Sequence, residues 1–366
     1  MSVHVTKSIE YLKSCELAWD DLALAALEPN VFYEAWALLP ALEHLANEAV
    51  EIVLVWSKDK QNLIGLFPLV SRYCYRRAPV SYYSFWNHIH CFLCTPLVRS
   101  GCEHECFEQF FSWLNAERSS YLLELPCLRS DGPFYKALNA YLKDTGHLID
   151  QVENHERALL QSKHDPDAYF EAELPRKLRK DIRRKQRRLA ELGEVSVRSL
   201  SEESDLDAWL DCFFTLEQSG WKGKGATAIA CRANEMRYYQ HIAENAHARG
   251  CLAMTMLTLN DAPIAMNFSL LSGRACFAIK IAYDEQYSKC SPGVLLEREN
   301  IARILSDPSI TFVDSCATSG HPMLDEMWNA KRQIATFGVS KQGFFSRSII
   351  TAIPFLKRLC SKQEGK

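Results

Sequence analysis

Residues 280–300, KIAYDEQYSKCSPGVLLEREN, contain the pattern that decides the fold. The chain passes from an apolar strand that ends near Tyr283, through a polar loop, into a helix. The residues that open this helix and fill its first turn are Ser291, Pro292, Gly293, Val294 and Leu295. A strand, a turn and a helix in this order are typical of a mixed α/β protein.

The entry to this helix predicts an anion site. The first N–H groups of a helix have no partner within it and lie at the positive end of its dipole, so a glycine there lets a pyrophosphate come close. The same residues fit an ordinary turn equally well, with Ser291 as the cap and Pro292 at the first helical position.

Composition sets the size and class of the molecule. A chain of 366 residues exceeds one hydrophobic core, so we expect two domains. With 24% charged and 48% hydrophobic residues the chain folds and is not disordered. The net charge is only −3, so anion binding depends on local basic clusters. The fourteen cysteines are scattered, many within apolar runs, and predict reduced, mostly buried thiols.

The distribution of apolar residues bears on location. No apolar run reaches the roughly 18 to 20 residues that span a bilayer. The first residues, MSVHVTKSIEYLKSCELAWDD, lack the apolar stretch of a signal peptide. The sequence therefore predicts a cytoplasmic protein.

The first 160 residues mix helices and strands. We expect helices over 20–48 and 102–114, a buried strand over 121–128, and a β-hairpin over 51–72 with Gly65 in its second strand.

The second part begins with a basic helix over 174–193. The elements expected after it are helices over 203–219 and 234–249, three strands within 251–284, a helix over 293–305, a strand over 310–316 and a helix over 323–331.

The two parts resemble each other. The hairpin at 51–72 and the segment 251–273 share an apolar strand, a polar turn and a second apolar strand. We therefore predict two tandem α/β units, residues 1–160 and 161–345. The tail, 346–366, is expected to dock as a strand or a frayed helix.

The order of motifs after residue 170 resembles a known family. The basic helix, the SGWKGKGATAI segment, the three strands, YDEQYSKCSPGVLL and DSCATSGHPMLDEMW together resemble the GNAT superfamily, specifically its CelD-like branch, also called acetyltransferase type 6. The resemblance covers about residues 170–340. The two-domain plan is also similar to the Fem-type transferases, and residues 1–160 resemble a degenerate GNAT-like unit.

The resemblance implies an acyltransferase that transfers an acyl group from acetyl-CoA or another acyl-CoA to an amine by direct attack. It assigns donor binding to the second unit. The residues implied are Tyr287, Ser291, Pro292, Gly293, Val294 and Leu295. The Fem-type similarity implies aminoacyl-tRNA as an alternative donor, and a scaffold that binds an acyl carrier without turnover is a third possibility.

The signature before this helix departs from that of most GNAT enzymes. SKCSPG is shorter than their Gly-rich loop and lacks the Arg or Gln at its start. The acceptor, a small molecule or a peptide with an amine, is expected in a cleft between the two units.

Candidate catalytic residues flank the predicted donor helix. Tyr283 ends one strand and Asp314 lies in the next, where burial would raise its pKa towards that of a base. His321 and Asp325 are four residues apart and could relay the proton of the amine from one face of a helix. In the alternative interpretation all of them are capping or turn residues.

Two further groups carry positive charge. Trp221 and Lys222 lie in a polar loop that could close over the acyl group or a phosphate. Residues 174–188 hold nine Lys or Arg against one Asp, which fits either a solvated helix face or a surface that binds the phosphates of coenzyme A or tRNA. No aromatic residues interleave with these charges, so binding of nucleic acid is the less favoured interpretation.

Histidines and cysteines cluster at 88–106. His88 and His90 are candidates for contact with the acceptor. Structural zinc is an alternative for this segment, because CFLC has the spacing of a zinc knuckle, but buried thiols are favoured and no metal is expected. The ligand candidates are His88, His90, Cys91, Cys94, Cys102, His104 and Cys106.

Overall fold

The computed structural model describes residues 2–117, 119–219, 229–343 and 346–351. The chain forms two compact units. The first contains Met1–Leu42, Ala46–His155 and Gln333–Lys366, and the second contains Glu43–Leu45 and Glu156–Arg332. The predicted domain bounds, 1–160, 161–345 and 346–366, stay a prediction.

The elements of the first 160 residues begin and end as follows: β1 Val3–Thr6, α1 Ile9–Ser14, α2 Glu16–Leu24, α3 Ala35–His44, β2 Val50–Trp56, β3 Leu63–Arg72, β4 Tyr82–Phe85, β5 Leu97–Val98, α4 Glu103–Ala116, β6 Leu122–Arg129, α5 Pro133–Asp144 and β7 Ile149–Leu160.

The elements of the rest of the chain are α6 Pro166–Ala172, α7 Arg176–Ala190, β8 Val195–Ser199, α8 Leu206–Ser219, α9 Ala233–Ala248, β9 Leu252–Leu259, β10 Ala262–Ser272, β11 Ala275–Tyr283, α10 Pro292–Leu305, β12 Phe312–Asp314, α11 Leu324–Met327 and β13 Ala330–Ser340. A short 3₁₀ helix, Glu285–Cys290, joins β11 to α10. Within the described residues, no helix combines the length and the apolar character that crossing a bilayer requires.

The two units have the same strand arrangement. The first has the order β1-β2-β3-β4-β6-β13, and the second has the order β8-β9-β10-β11-β12-β7. Every neighbouring pair within these orders is antiparallel except β4 with β6 and β11 with β12, which are parallel. The hairpins β2-β3 and β9-β10, predicted from their matching patterns, occupy equivalent positions. The predicted mixed α/β fold is thus confirmed.

Each unit takes its last strand from the other half of the sequence. β13 follows the elements of the second unit but pairs with β6, and the end of β7 pairs with β12. The sequence analysis missed both strands. It is also wrong about 323–331, because the helix there is only four residues long and Trp328 is already extended, at φ −106° and ψ 140°.

The predicted helix over 20–48 is likewise wrong. The chain forms α2 and α3, separated by residues 25–34. Pro29 interrupts the helical pattern. Asn30 is fully buried, and its side-chain amide donates to the carbonyl oxygens of Leu93 and Thr95. These bonds hold the break in place.

Aromatic side chains fill the core of the first unit. Phe67 of β3 stacks on Phe110 of α4, with ring centroids 4.0 Å apart. Gly65 permits this approach, because a Cβ there would lie 2.3 Å from Sγ of Cys106 on the same helix.

Helices cover both faces of the strands in the second unit. Tyr169 of α6, Ile182 of α7 and Leu296 of α10 share one buried cluster with Ala265 of β10. On the other face, Phe213 of α8 and Tyr239 of α9 pack against Phe268 of β10. Side chains three residues apart in a strand point to opposite faces, so β10 and β11 lie between two helical layers.

Candidate active site

The parallel strands β11 and β12 separate within the second unit. They pair over only three positions, Ala275–Phe277 with Phe312–Asp314. Beyond them β12 stays with β7, since the N–H of Ser315 donates to the carbonyl of Ala158 at 3.2 Å. In the described part of the chain, no strand pairs with 278–283 on this edge of β11. Backbone groups on this edge are therefore available to an extended ligand.

A β-bulge marks the point of separation. Phe268 pairs with Lys280 and Ser269 with Ala278, so Ile279 has no partner opposite it on β10. A bulge interrupts the hydrogen-bonded ladder and redirects backbone groups, and such bulges are common beside active sites.

The turn that enters α10 lies at the end of the same strand. Ser291 has the left-handed conformation, φ 48°, and its side chain does not cap the helix. Its carbonyl accepts the N–H groups of Val294 and Leu295 at 3.0 and 3.2 Å. Pro292 has no N–H, and Gly293 stands at the second helical position, where the N–H has no acceptor within the helix.

The first turn of α10 is chemically suited to an anion, because it contains no acidic residue. A Cβ at Gly293 would lie 3.5 Å from Cδ1 of Tyr283. Tyr287 packs against the same buried cluster as Leu295. The predicted donor residues therefore lie together where the 3₁₀ helix meets α10, and they also touch Tyr283. They are Tyr287, Ser291, Pro292, Gly293, Val294 and Leu295. We call this group of residues the donor turn.

The equivalent helix start in the first unit has the opposite character. Glu103 and Glu105 lie in the first turn of α4, and the carboxylate of Glu103 accepts the N–H of Gly101 at 2.9 Å. These charges oppose an incoming phosphate. Of the two equivalent helix starts, only that of α10 is free of acidic residues.

Asp314 is fully buried between two arginines. Its Oδ2 accepts hydrogen bonds from Arg157 at 2.7 Å and Arg332 at 2.5 Å, and its Oδ1 accepts the N–H of Cys316 at 3.0 Å. Burial by itself raises the pKa of Asp314, but the two guanidinium charges outweigh it and the pKa is lowered. The expectation of a raised pKa is therefore wrong. This carboxylate stays charged and is engaged in holding β12.

His321 and Asp325 have separate partners. Nδ1 of His321 accepts the N–H of Leu324 at 3.3 Å, and Asp325 forms an ion pair with Lys331. Burial lowers the pKa of His321, and the nearby Asp325 opposes this only in part. At neutral pH the imidazole is uncharged, and its accepting Nδ1 places the proton on Nε2. The Nε2–H of His321 is thus a hydrogen-bond donor.

The sequence analysis missed an ion pair beside the bulge. Nζ of Lys280 lies 3.1 Å from Oε1 of Glu217, whose side chain is completely buried. The other carboxylate oxygen accepts the N–H of Ile229 at 2.8 Å, and Lys280 also faces the ring of Tyr239. Glu217 is the single charged residue of the segment CFFTLEQ, and Lys280 is the single charged residue of the apolar segment ACFAIKIAY. A single charge in such a segment is the sequence signal that could have revealed the pair.

Glu297 of α10 was also missed. It is buried, and it accepts a hydrogen bond from Nε1 of Trp328 at 2.7 Å. Burial raises the pKa of Glu297 to about 7, although hydrogen bonds from Trp328 and Asn300 act in the opposite direction. Glu297 lies about one helical turn after Gly293. Ionisation of Glu297 therefore changes the charge of the helix that begins at the donor turn.

His90 is buried in the first unit, at 4% exposure. Burial lowers the pKa of His88 to about 3, with His90 contributing, so the imidazole of His88 is neutral. Contact of either with an acceptor stays a prediction.

The neighbouring cysteines are spread over different elements. Sγ of Cys91 lies 3.8 Å from Sγ of Cys94, whereas Cys102 precedes α4 and Cys106 lies within it. Of the described residues in this segment, no three ligand atoms lie within 4.8 Å of one another. The geometry thus offers zinc no ready set of ligands there.

Trp221 and Lys222 lie outside the described residues. The basic helix, by contrast, is described throughout as α7. It packs against the Glu285–Cys290 turn and against α10.

Comparison with known proteins gives a domain family for part of the chain. Residues 176–319 match the acetyltransferase (GNAT) domain family. A comparison with curated protein sequences gives no match.

Solved structures show the same fold. FemX has a TM-score of 0.59 at 11% identity, over 88% of this chain and 95% of its own. A conserved protein from Bacteroides thetaiotaomicron has a TM-score of 0.57 at 10% identity, over 93% and 100% of the two chains. The C-terminal domain of a putative lysylphosphatidylglycerol synthetase from Agrobacterium fabrum has 0.54 at 9%, over 93% and 96%.

Residues 176–319 form an acyltransferase domain of the GNAT type. Over 88% of its length the chain has a Fem-like architecture.

Proposed function

We propose that the second unit transfers an acyl group from a phosphopantetheine thioester, with acyl-CoA as the reference donor, to an amine. The observation that carries the proposal is the donor turn at the end of β11, where the strand has just separated from β12. The turn offers an N–H group and the positive end of a helix to phosphate, and the open edge of β11 offers backbone groups to the pantetheine arm.

The chemistry requires little from side chains. The neutral amine attacks the thioester carbonyl, the C–N bond forms, the C–S bond breaks, and the sulfur leaves as a thiolate. Backbone N–H groups near the bulge at Ile279 are placed to stabilise the developing oxyanion. The amine loses its proton to water or to the thiolate, so positioning supplies much of the rate.

Side chains then have supporting roles. Asp314 holds the end of β12, and Tyr283 borders the donor turn as a binding residue. His321 is a candidate hydrogen-bond donor to the departing sulfur. Glu217 positions Lys280 on β11 and accepts the N–H of Ile229.

The proposal is tested by titrating the protein with coenzyme A and acetyl-CoA in a calorimeter and by thermal shift. A ligand that binds the native state raises the melting temperature. We expect saturable binding of one donor per chain. Absence of both heat and thermal shift at millimolar donor would refute a phosphopantetheine site.

Turnover is tested with a panel of amines. The thiol released from acetyl-CoA is followed with a chromogenic disulfide. We expect release that depends on an amine and saturates with donor. If the protein binds acetyl-CoA but releases no thiol with any amine, it functions as a scaffold that binds an acyl carrier without turnover. The cytoplasm, where such donors and reduced thiols occur, is the proposed location.

Aminoacyl-tRNA is the second candidate donor, because the exposed basic face of α7 could hold phosphates. Such an enzyme would bind tRNA with an affinity that falls steeply as salt increases.

A further inference from the structure

The outward face of α7 is a continuous basic surface. At about 100° per residue, seven exposed cations fall within an arc of roughly 140°, opposite the buried Ile182 and Leu189. The cations are Arg176, Lys177, Lys180, Arg183, Arg184, Arg187 and Arg188. We call this face the basic stripe. It is about 18 Å long.

Most of the stripe has no compensating charge. Arg184 pairs with Asp181 of the same helix, while Arg179, at the edge of the stripe, pairs with Glu171 at 2.7 Å. Apart from Arg184, the six remaining cations of the basic stripe form no ion pair with a described residue. Seven like charges on one short helix repel one another, and an acidic partner relieves that repulsion.

Helix α7 carries the stripe on its outward face and packs against the donor turn with its opposite face. Leu178 and Ile182 of α7 pack in the cluster that contains Cys290, Tyr287 and Leu295. A groove of about 580 Å³ runs along α7, and its walls include Lys177, Lys180, Arg184 and Glu326. A partner seated on the stripe is therefore separated from the donor turn by the width of one helix, about 10 Å.

The donor turn is small for coenzyme A. Pro292 has no N–H, and the N–H groups of Val294 and Leu295 are directed to Ser291, so Gly293 offers the main open donor. One phosphodiester needs fewer donors than the pyrophosphate and 3′-phosphate of coenzyme A. The turn thus suits 4′-phosphopantetheine attached to a carrier.

We infer that the natural donor is an acyl group on the 4′-phosphopantetheine of a small acidic carrier protein, which docks on the basic stripe. The inference rests on the proposed function and names the form in which its donor arrives. Charge complementarity selects the carrier, and a carrier broader than α7 covers both the stripe and the donor turn, from which the arm reaches the edge of β11. No aromatic side chain lies in α7 to stack on bases, so the stripe suits an acidic protein better than RNA.

The test compares charge reversal on the stripe with the same change elsewhere. Lys180→Glu/Arg187→Glu alters two exposed cations seven residues apart on α7. Lys136→Glu/Lys143→Glu alters two exposed lysines with the same spacing on α5 and is the matched control. Melting temperatures verify that both variants are folded.

The ligands are a bacterial fatty-acid acyl carrier protein in its apo, holo and octanoyl forms, coenzyme A, and deacylated bulk tRNA. We expect the octanoyl and holo forms to bind at least about tenfold more tightly than the apo form. The stripe variant should lose at least about tenfold in carrier affinity, the control less than twofold, and both should bind coenzyme A as the unaltered protein does.

Each other outcome overturns the inference. If coenzyme A binds but no carrier form does, or if the stripe variant binds the carrier normally, the inference fails and the proposed function stands. If tRNA binds through the stripe and the carrier does not, the stripe serves nucleic acid. If neither carrier nor coenzyme A binds, the proposed function itself fails.

Discussion

Asp314 shows how a buried carboxylate can be structural although it lies beside the site. Two arginines and one backbone N–H occupy its oxygens, and its pKa is lowered in spite of complete burial. Its sequence neighbours Val313 and Cys316 revealed the burial but not the arginines, which come from β7 and β13, distant in sequence. The two chemical roles therefore could not be separated without the fold.

Asp314→Asn should act on stability and not on chemistry. The variant leaves Arg157 and Arg332 buried without a counter-charge, which costs about 3 to 5 kcal/mol of unfolding free energy. Because the folded pKa of Asp314 is lowered, its contribution is present above the unfolded value and is lost as pH falls through the folded pKa. Denaturant unfolding at pH 7 and at pH 3 measures both effects.

Asp261→Asn is the control, because Asp261 pairs with Arg198 on the surface and should change stability by less than about 1 kcal/mol. A stable Asp314→Asn protein with turnover reduced a hundredfold would instead identify a catalytic base.

Lys280 and Glu217 should behave as a coupled pair. Glu217→Gln leaves Lys280 mostly buried beside a neutral amide, at a cost of roughly 3 kcal/mol. Glu217→Leu with Lys280→Met should recover most of the stability, since apolar replacement of a buried pair is often neutral. A double-mutant cycle by denaturant unfolding measures the coupling.

If the pair positions β11 for catalysis, the stable double variant will have a lowered kcat and an almost unchanged KM. Full activity in that variant would show that the pair is only structural.

At the scale of elements, α10 contains both part of the donor turn and the buried, titratable residue Glu297. Glu297 has its pKa raised to about 7 by burial, so the folded protein binds this proton more tightly than the unfolded chain does. Its contribution to stability is fully present below the unfolded pKa and is lost as pH rises through about 7. Burial thus favours the protonated, neutral form of Glu297.

Glu297→Gln should remove this pH dependence. The amide keeps an oxygen for Trp328 and carries no charge at any pH. We expect the variant to equal the unaltered protein near pH 5 and to exceed it by about 2 to 3 kcal/mol at pH 8. Unfolding free energies across pH 5 to 8 provide the measurement, and parallel curves for the two proteins would contradict the assignment.

Elements were predictable where local pattern alone decides them. The basic helix, the β9-β10-β11 run and the strand, turn and helix at 280–300 are confirmed, because periodicity and helix-start residues lie within each segment. β7 and β13 were missed because each pairs with strands far away in sequence. The predicted proton relay between His321 and Asp325 could not be assessed from sequence either, because it depends on the ion pair that Asp325 forms with Lys331.

At the scale of the whole molecule, two units of equal topology differ in the charge at one pair of equivalent helix starts. The parallel pairs β4-β6 and β11-β12 are equivalent, and a helix, α4 or α10, connects the strands of each. The first turn of α4 carries Glu103 and Glu105, whereas that of α10 carries none. The account therefore predicts a single donor site, in the second unit.

Calorimetric titration of coenzyme A into Gly293 variants tests this central claim most directly. A side chain at Gly293 meets only ordinary contacts with Tyr283 and Ile281, so the variants should fold. Gly293→Asp and Gly293→Asn have nearly the same shape and differ in charge. The account predicts one site in the unaltered protein, modest weakening in Gly293→Asn, and loss of binding by at least about a hundredfold in Gly293→Asp. Equal affinities in Gly293→Asp and the unaltered protein would contradict it.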